Sequence, residues 1–300
     1  MVNEIRGTGV ALITPFHNYG TIDFTSLGKI IEHVIENQVD FIVALGTTSE
    51  AATLSKDEKQ AVMEYIIESV DGRVPIVMGI GGNNTQEITD NIKSQDFTGI
   101  AAVLSVTPYY NKPQQKGLYY HFKNITTACP VPIILYNVPG RTAANLTAET
   151  TLRLAFEFET IIGVKEASGN FQQIMEIIRD KPKEFVVYSG DDALTFPLLM
   201  LGAEGVISVV ANAFPREFSF MVTNAIRGSK KKARAVHYAL LDIMNAIFED
   251  GNPSGIKAAL DIMGMCGNNL RLPLVKVNKA TYNKLQTLVE MHSLPALIDL

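Results

Sequence analysis

Lys165 is the residue whose surroundings call for a chemical reason. It follows Ile161, Ile162, Gly163 and Val164 in the run IIGVKEAS (161–168). An ordinary lysine has a pKa near 10.4, so only about one amine in 10³ is neutral at pH 7. Burial disfavours the charge, and a desolvated lysine amine is a nucleophile suited to Schiff-base chemistry on a carbonyl compound. The competing reading is a structural ion pair with Glu166, although neighbours on a strand point to opposite faces. Lys276, in LRLPLVKV (270–277), is another lysine in an apolar stretch, but its proline-punctuated setting reads as a loop.

Other residues could serve such an amine. Tyr136 ends the run PIILYNVP (132–139); its hydroxyl could pass protons in a hydrogen-bonded chain, or its ring could simply pack. Arg141 follows in the loop, and its guanidinium could fork onto a carboxylate or stay solvated. Thr47 and Thr48 offer hydroxyl and backbone donors at one strand tip, or only a helix cap. The histidines (His17, His33, His121, His237, His292) are isolated and form no HExxH pair, so no zinc or iron site is expected. There is no GxSxG elbow, and GIGGNN (79–84) is a broken echo of GxGxxG that reads as a strand-tip glycine loop. Asp191-Asp192, after a later apolar run, would repel a phosphate. These residues outline a Schiff-base aldolase acting on a small carbonyl compound, with no metal and no cofactor beyond the covalent imine on Lys165.

Such residues need a scaffold. Eight short runs rich in Val, Ile and Leu start at Gly9, Asp40, Val74, Ile100, Pro132, Ile161, Phe185 and Gly205. Their continuous apolar character suits strands buried on both faces of a parallel sheet. Between them lie segments of helical period. Leu27, Ile30, Ile31, Val34 and Ile35 form one stripe behind the N-cap candidate Asp23. Ser55 with Glu58 has capping-box spacing, and Val62, Ile66 and Val70 follow before Gly72. Asn84 with Glu87 and Asn170 with Gln173 repeat that start signal. Eight βα units in succession predict a (β/α)8 TIM barrel over 1–228, with a C-terminal helical extension over 229–300. A doubly wound open sheet is the alternative, but closure removes the edges. In a barrel the active site lies at the carboxyl ends of the strands, where the residues above fall.

The 300 residues are 47% hydrophobic and 19% charged, with a net charge of -5. That composition supports a large core and excludes a disordered chain. Lys230, Lys231 and Lys232 make the nearest approach to a charge run, too little for a nucleic-acid patch. Cys129 and Cys266 form no framework, in keeping with a reducing compartment. No apolar run reaches the roughly 18 residues of a membrane span, and MVNEIRGTGV carries no signal-peptide pattern. A cytoplasmic location is expected.

The motifs LGTTSEAATLS (45–55), TPYYNKP (107–113), YNVPGRT (136–142), VKEASG (164–169), SGDD (189–192) and GVISV (205–209) together resemble the dihydrodipicolinate synthase family. The resemblance covers nearly the whole chain. It implies condensation of pyruvate with aspartate 4-semialdehyde to 4-hydroxy-tetrahydrodipicolinate, in lysine and diaminopimelate biosynthesis. Lys165 would then form the imine with pyruvate. Thr47, Tyr136 and Tyr110 would relay protons, with Tyr110 reaching into a neighbouring subunit of a dimer or tetramer. Thr48 and the backbone near Ile207 would hold the pyruvate carboxylate. Arg141 would bind the semialdehyde carboxylate, and Gly190 and Asp191 would line the second pocket. N-acetylneuraminate lyases and other pyruvate-dependent sugar-acid aldolases are the alternative within the superfamily, and they generally lack the arginine. A non-catalytic pyruvate-binding protein would need no proton relay.

The chain departs from the family pattern in two respects. Ser49 replaces a glycine in GTTGE, which puts the backbone angles of that turn in question. Lys56 and Lys59 stand where lysine-inhibited members carry histidines, while Asn83, Glu87 and Tyr109 match the rest of that allosteric site. Two added cations oppose a cationic effector, so feedback by lysine is expected to be weak or absent.

Overall fold

Each of the eight apolar runs becomes a strand, because both its faces have apolar partners. A computed structural model describes residues 5–292; the outermost parts of the two predicted ranges, 1–4 and 293–300, lie outside the described residues. The strands are β1 (Gly7–Ala11), β2 (Phe41–Ala44), β3 (Ile76–Gly79), β4 (Ala102–Val106), β5 (Ile133–Asn137), β6 (Ile161–Glu166), β7 (Val186–Ser189) and β8 (Gly205–Ser208). They pair in sequence order, all parallel, and β1 pairs β8 to close the barrel. That last pairing excludes the open sheet.

Side chains alternate between two cores. On β5, Ile134 and Tyr136 face the barrel interior with Phe41, Val77, Leu104 and Ile207. Ile133 and Leu135 face the helix layer. On β6, a register shift carries the pairing from Ile133↔Ile161 to Ile134↔Gly163. Val164 then points outward, which sends Lys165 inward and Glu166 outward.

The helices before the extension are α1 (Phe24–Glu36), α2 (Lys56–Val70), α3 (Thr85–Ser94), α4 (Gln115–Ala128), α5 (Pro139–Thr142), α6 (Ala148–Glu157), α7 (Phe171–Asp180), α8 (Thr195–Met200) and α9 (Pro215–Ile226). Their start signals are chemical. Asp23 accepts from the Ser26 N–H at 3.0 Å, and Ser55 and Glu58 complete a reciprocal capping box. Asn170 accepts from Gln173 N at 3.2 Å. Asn84 instead accepts from Gln86 N at 3.1 Å, so its predicted box with Glu87 is not formed.

The extension comprises α10 (Lys230–Phe248), α11 (Ser254–Ile262) and α12 (Lys279–His292). Its first helix packs on α8, α9 and the turn after β7. Among the described residues, no helix is long and apolar enough to cross a membrane.

Candidate active site

Lys165 stands at the inner face of β6, 6% exposed, in register with Tyr136 on β5. Its Nζ lies 4.4 Å from the centroid of the Tyr136 ring, within reach of the ring's negative face. No carboxylate pairs with it among the described residues. A Cβ at Gly190 would lie 3.1 Å from Lys165 Cε and 2.7 Å from Ala167 Cβ. Glycine at that position therefore leaves room for the lysine stem.

Glu166 has other partners, so the ion pair weighed for Lys165 is not made. Its Oε1 accepts from Asn137 Nδ2 at 2.8 Å and Gln173 Nε2 at 2.9 Å. Its Oε2 accepts from Ser168 Oγ at 2.5 Å and Ser168 N at 3.2 Å. Burial pushes its carboxyl above the usual range, and these hydrogen bonds oppose that push. Asn137 also donates to Asn145 Oδ1 at 2.9 Å and accepts from Leu146 N at 2.9 Å. A polar clasp thus joins the outer faces of β5 and β6, directly behind Tyr136 and Lys165.

The β2 tip carries the threonines. Thr47–Ser49 form a short 3-10 turn in which Thr47 is exposed and Thr48 is buried. Asn252, between α10 and α11, donates through Nδ2 to Thr48 Oγ1 at 3.0 Å. The Thr48 proton is thereby left to point elsewhere. Ser49 has no positive φ, and its Oγ donates to Gly46 O at 2.7 Å. Serine in place of glycine is therefore unstrained; the left-handed residue of this turn is Glu50, with φ 56°.

Arg141, in α5 after the β5 tip, is exposed, and its Nη2 lies 3.5 Å from Asn252 O. Asn252 thus reaches both the threonine turn and the arginine, and its own Oδ1 is buried with no partner among the described residues. Sequence reasoning missed this residue. Its only local signal is the turn pair Asn252-Pro253, which carries no chemistry by itself.

The β4 tip presents Tyr109 and Tyr110, 44% and 88% exposed, with Tyr110 in the left-handed region at φ 73°. Asn83 donates to Tyr109 O at 3.2 Å, and Asn111 donates to Asn83 O at 2.9 Å. Glu87, Lys56 and Lys59 lie in the first turns of α3 and α2 and, among the described residues, make no hydrogen bond to Asn83 or Tyr109. Among the described residues, no hydrogen bond joins the hydroxyls of Thr47, Tyr136 and Tyr110 within one chain.

At the β7 tip the two aspartates part company. Asp191 is exposed and accepts from Ala193 N and Leu194 N at 3.0 and 3.3 Å. Asp192 is buried, and its Oδ2 accepts from Val209 N at 3.0 Å and Val210 N at 2.9 Å beside β8. Burial pushes its carboxyl up to about 6. The expectation that both carboxylates face the mouth and repel phosphate is corrected: only Asp191 is placed to do so. Ile207, 1% exposed on β8, packs in the interior cluster with Tyr136.

A model of the dihydrodipicolinate synthetase family matches residues 4–292. A protein of Parabacteroides distasonis named 4-hydroxy-tetrahydrodipicolinate synthase is 50% identical over 291 residues, covering 97% of this chain and 98% of that one. A solved monomeric dihydrodipicolinate synthase variant superposes with a TM-score of 0.95 at 38% identity, covering 98% of each chain. The synthase of Cyanidioschyzon merolae, solved with lysine bound, superposes with a TM-score of 0.93 at 37% identity, covering 97% of this chain and 99% of that one.

Proposed function

The chain belongs to the dihydrodipicolinate synthetase family, and from that premise we propose that its barrel mouth carries the condensation through an imine on Lys165. The enzyme joins pyruvate to aspartate 4-semialdehyde, giving 4-hydroxy-tetrahydrodipicolinate for lysine biosynthesis. One observation carries the assignment of the nucleophile: a buried lysine that has no carboxylate partner among the described residues, held between the Tyr136 ring and Gly190.

The Lys165 amine attacks the ketone carbon of pyruvate, and loss of water gives the imine. Removal of a methyl proton forms the enamine, whose carbon attacks the aldehyde of the second substrate. The amino group of that substrate then attacks the imine carbon, closes the ring and releases Lys165. No metal or organic cofactor takes part. Thr47 and Tyr136 move protons together with Tyr110, which is supplied by a second copy of the chain. The exposure of Tyr110 and its left-handed backbone support that reading. Thr48 donates its free hydroxyl proton to the pyruvate carboxylate, alongside the backbone near Ile207. Arg141 forks onto the carboxylate of the semialdehyde, with Gly190 and Asp191 lining its pocket. The enzyme works in the cytoplasm as a homo-oligomer.

Incubation with pyruvate followed by borohydride should add the mass of pyruvic acid less one oxygen atom. Lys165→Ala should abolish that adduct; an adduct that survives the substitution would remove Lys165 from its role. Lys56 and Lys59 oppose a cationic effector at the Asn83, Glu87 and Tyr109 site. Steady-state assays should therefore show lysine inhibition weaker than millimolar.

A further inference from the structure

We infer that Glu50 and Lys257 are positioning residues through which the C-terminal extension sets the threonine turn that holds pyruvate. The inference rests on the role given above to Thr47 and Thr48.

Glu50 closes the Thr47–Ser49 turn, donating its N–H to Thr47 O at 3.2 Å, and it does so at φ 56°. A non-glycine residue holds a left-handed conformation at a cost, and persists there when its surroundings determine it. The surroundings here are complete. Glu50 Oε1 accepts from Lys257 Nζ at 2.5 Å, and Oε2 accepts from Arg271 N at 3.0 Å. The Glu50 and Lys257 side chains are both 0% exposed. Lys257 Nζ also donates to Asn269 O at 2.9 Å and lies 4.1 Å from the centroid of Phe16, on the loop after β1.

Lys257 sits in the first turn of α11, which begins just after Asn252, whose amide holds Thr48 Oγ1. One short segment of the extension therefore grips the turn twice, at the Thr48 hydroxyl and at the Glu50 carboxylate. A buried ion pair is a poor device for stability alone, since apolar replacements are often as stable. It is a good device for direction, because a fixed ammonium and a fixed carboxylate accept few geometries. Here it directs the turn between Gly46 and Glu50, whose middle residue must aim a hydroxyl at a carboxylate.

The test is Glu50→Gln, near in shape, together with Glu50→Gln/Lys257→Met, which removes both charges so that neither is stranded. In variants that melt as folded proteins, KM for pyruvate should rise about tenfold while KM for the semialdehyde stays near wild type. Adding Thr48→Val to the double variant should then cost little beyond what is already lost, because both changes act on one turn. Folded variants with a wild-type KM for pyruvate, or full additivity with Thr48→Val, would overturn the inference. So would the failure of both variants to fold, which would assign the pair to stability. Absence of a borohydride adduct in the wild-type protein would instead strike the underlying reading of Lys165.

Discussion

The tips of β6 and β2 are held in opposite ways. Glu166, at the β6 tip, is bonded to residues 2, 7 and 29 positions away. Thr48 and Glu50, after β2, are bonded to residues 204, 207 and 221 positions away. The β6 tip is held by adjacent βα units. The β2 tip is held by a segment that follows all eight strands in the chain. The proposed nucleophile, Lys165, is thus fixed against Tyr136 by neighbouring strands. The turn proposed to hold pyruvate is fixed by segments remote in the chain.

Arg141 lies between the two regions: it follows β5, which pairs with β6, and its Nη2 lies 3.5 Å from Asn252 O. Arg141→Ala should lower kcat/KM for the semialdehyde by about 10²-fold, while borohydride trapping of pyruvate continues at its normal extent. Equal loss of both would mean that the two regions are not separable. Asn137→Ala attacks the β6 tip alone. It removes one donor from the buried Glu166 carboxylate and should destabilise the protein by about 1–3 kcal/mol in denaturant melts. Its effect should fall on kcat more than on KM for either substrate; a selective rise in KM for pyruvate would blur the distinction.

The smallest effect belongs to the outer anchor of the β2 side. Arg271 donates to both oxygens of Glu58, at 2.8 and 2.5 Å, and holds that carboxyl down at about 2 against an ordinary 4.5. A depressed folded pKa adds stability that is complete above the unfolded value and is lost as pH falls toward the folded one. The window is therefore from about 4.5 down to about 2. Glu58→Gln should flatten the acid limb of a stability-against-pH curve there by less than about 1 kcal/mol, because the pair is partly solvated. An unchanged limb would mean that this anchor contributes nothing beyond its backbone contacts.

Much of this was legible in the chain. The strands could be read because a parallel barrel buries both faces, leaving continuous apolar runs that need no partner to be recognised. Lys165 could be read because a cation in such a run is an exception that period two aims inward. Glu166 was legible as a neighbour, and its outward direction follows from the same period; its partners Asn137 and Gln173 lie in the next strand and helix. Lys257 was not legible. It lies in GIKAALDI, a short helix whose ordinary reading gives a lysine a solvated face, whereas Lys276, in the more apolar LRLPLVKV, is exposed. Nothing near Lys257 in the chain shows that residues 254–260 of α11 will all be buried.

By itself the sequence determined where the strands run, the inward lysine and the caps of α1, α2 and α7, because each depends on residues within one or two turns of the chain. The tertiary structure decided what holds the turn proposed to bind pyruvate. Asn252, Lys257 and Arg271 meet Thr48 and Glu50 only when barrel closure and the docking of the extension bring together segments that are far apart in sequence. A contact between such segments is set by the whole packing, and no local pattern of residue types encodes it.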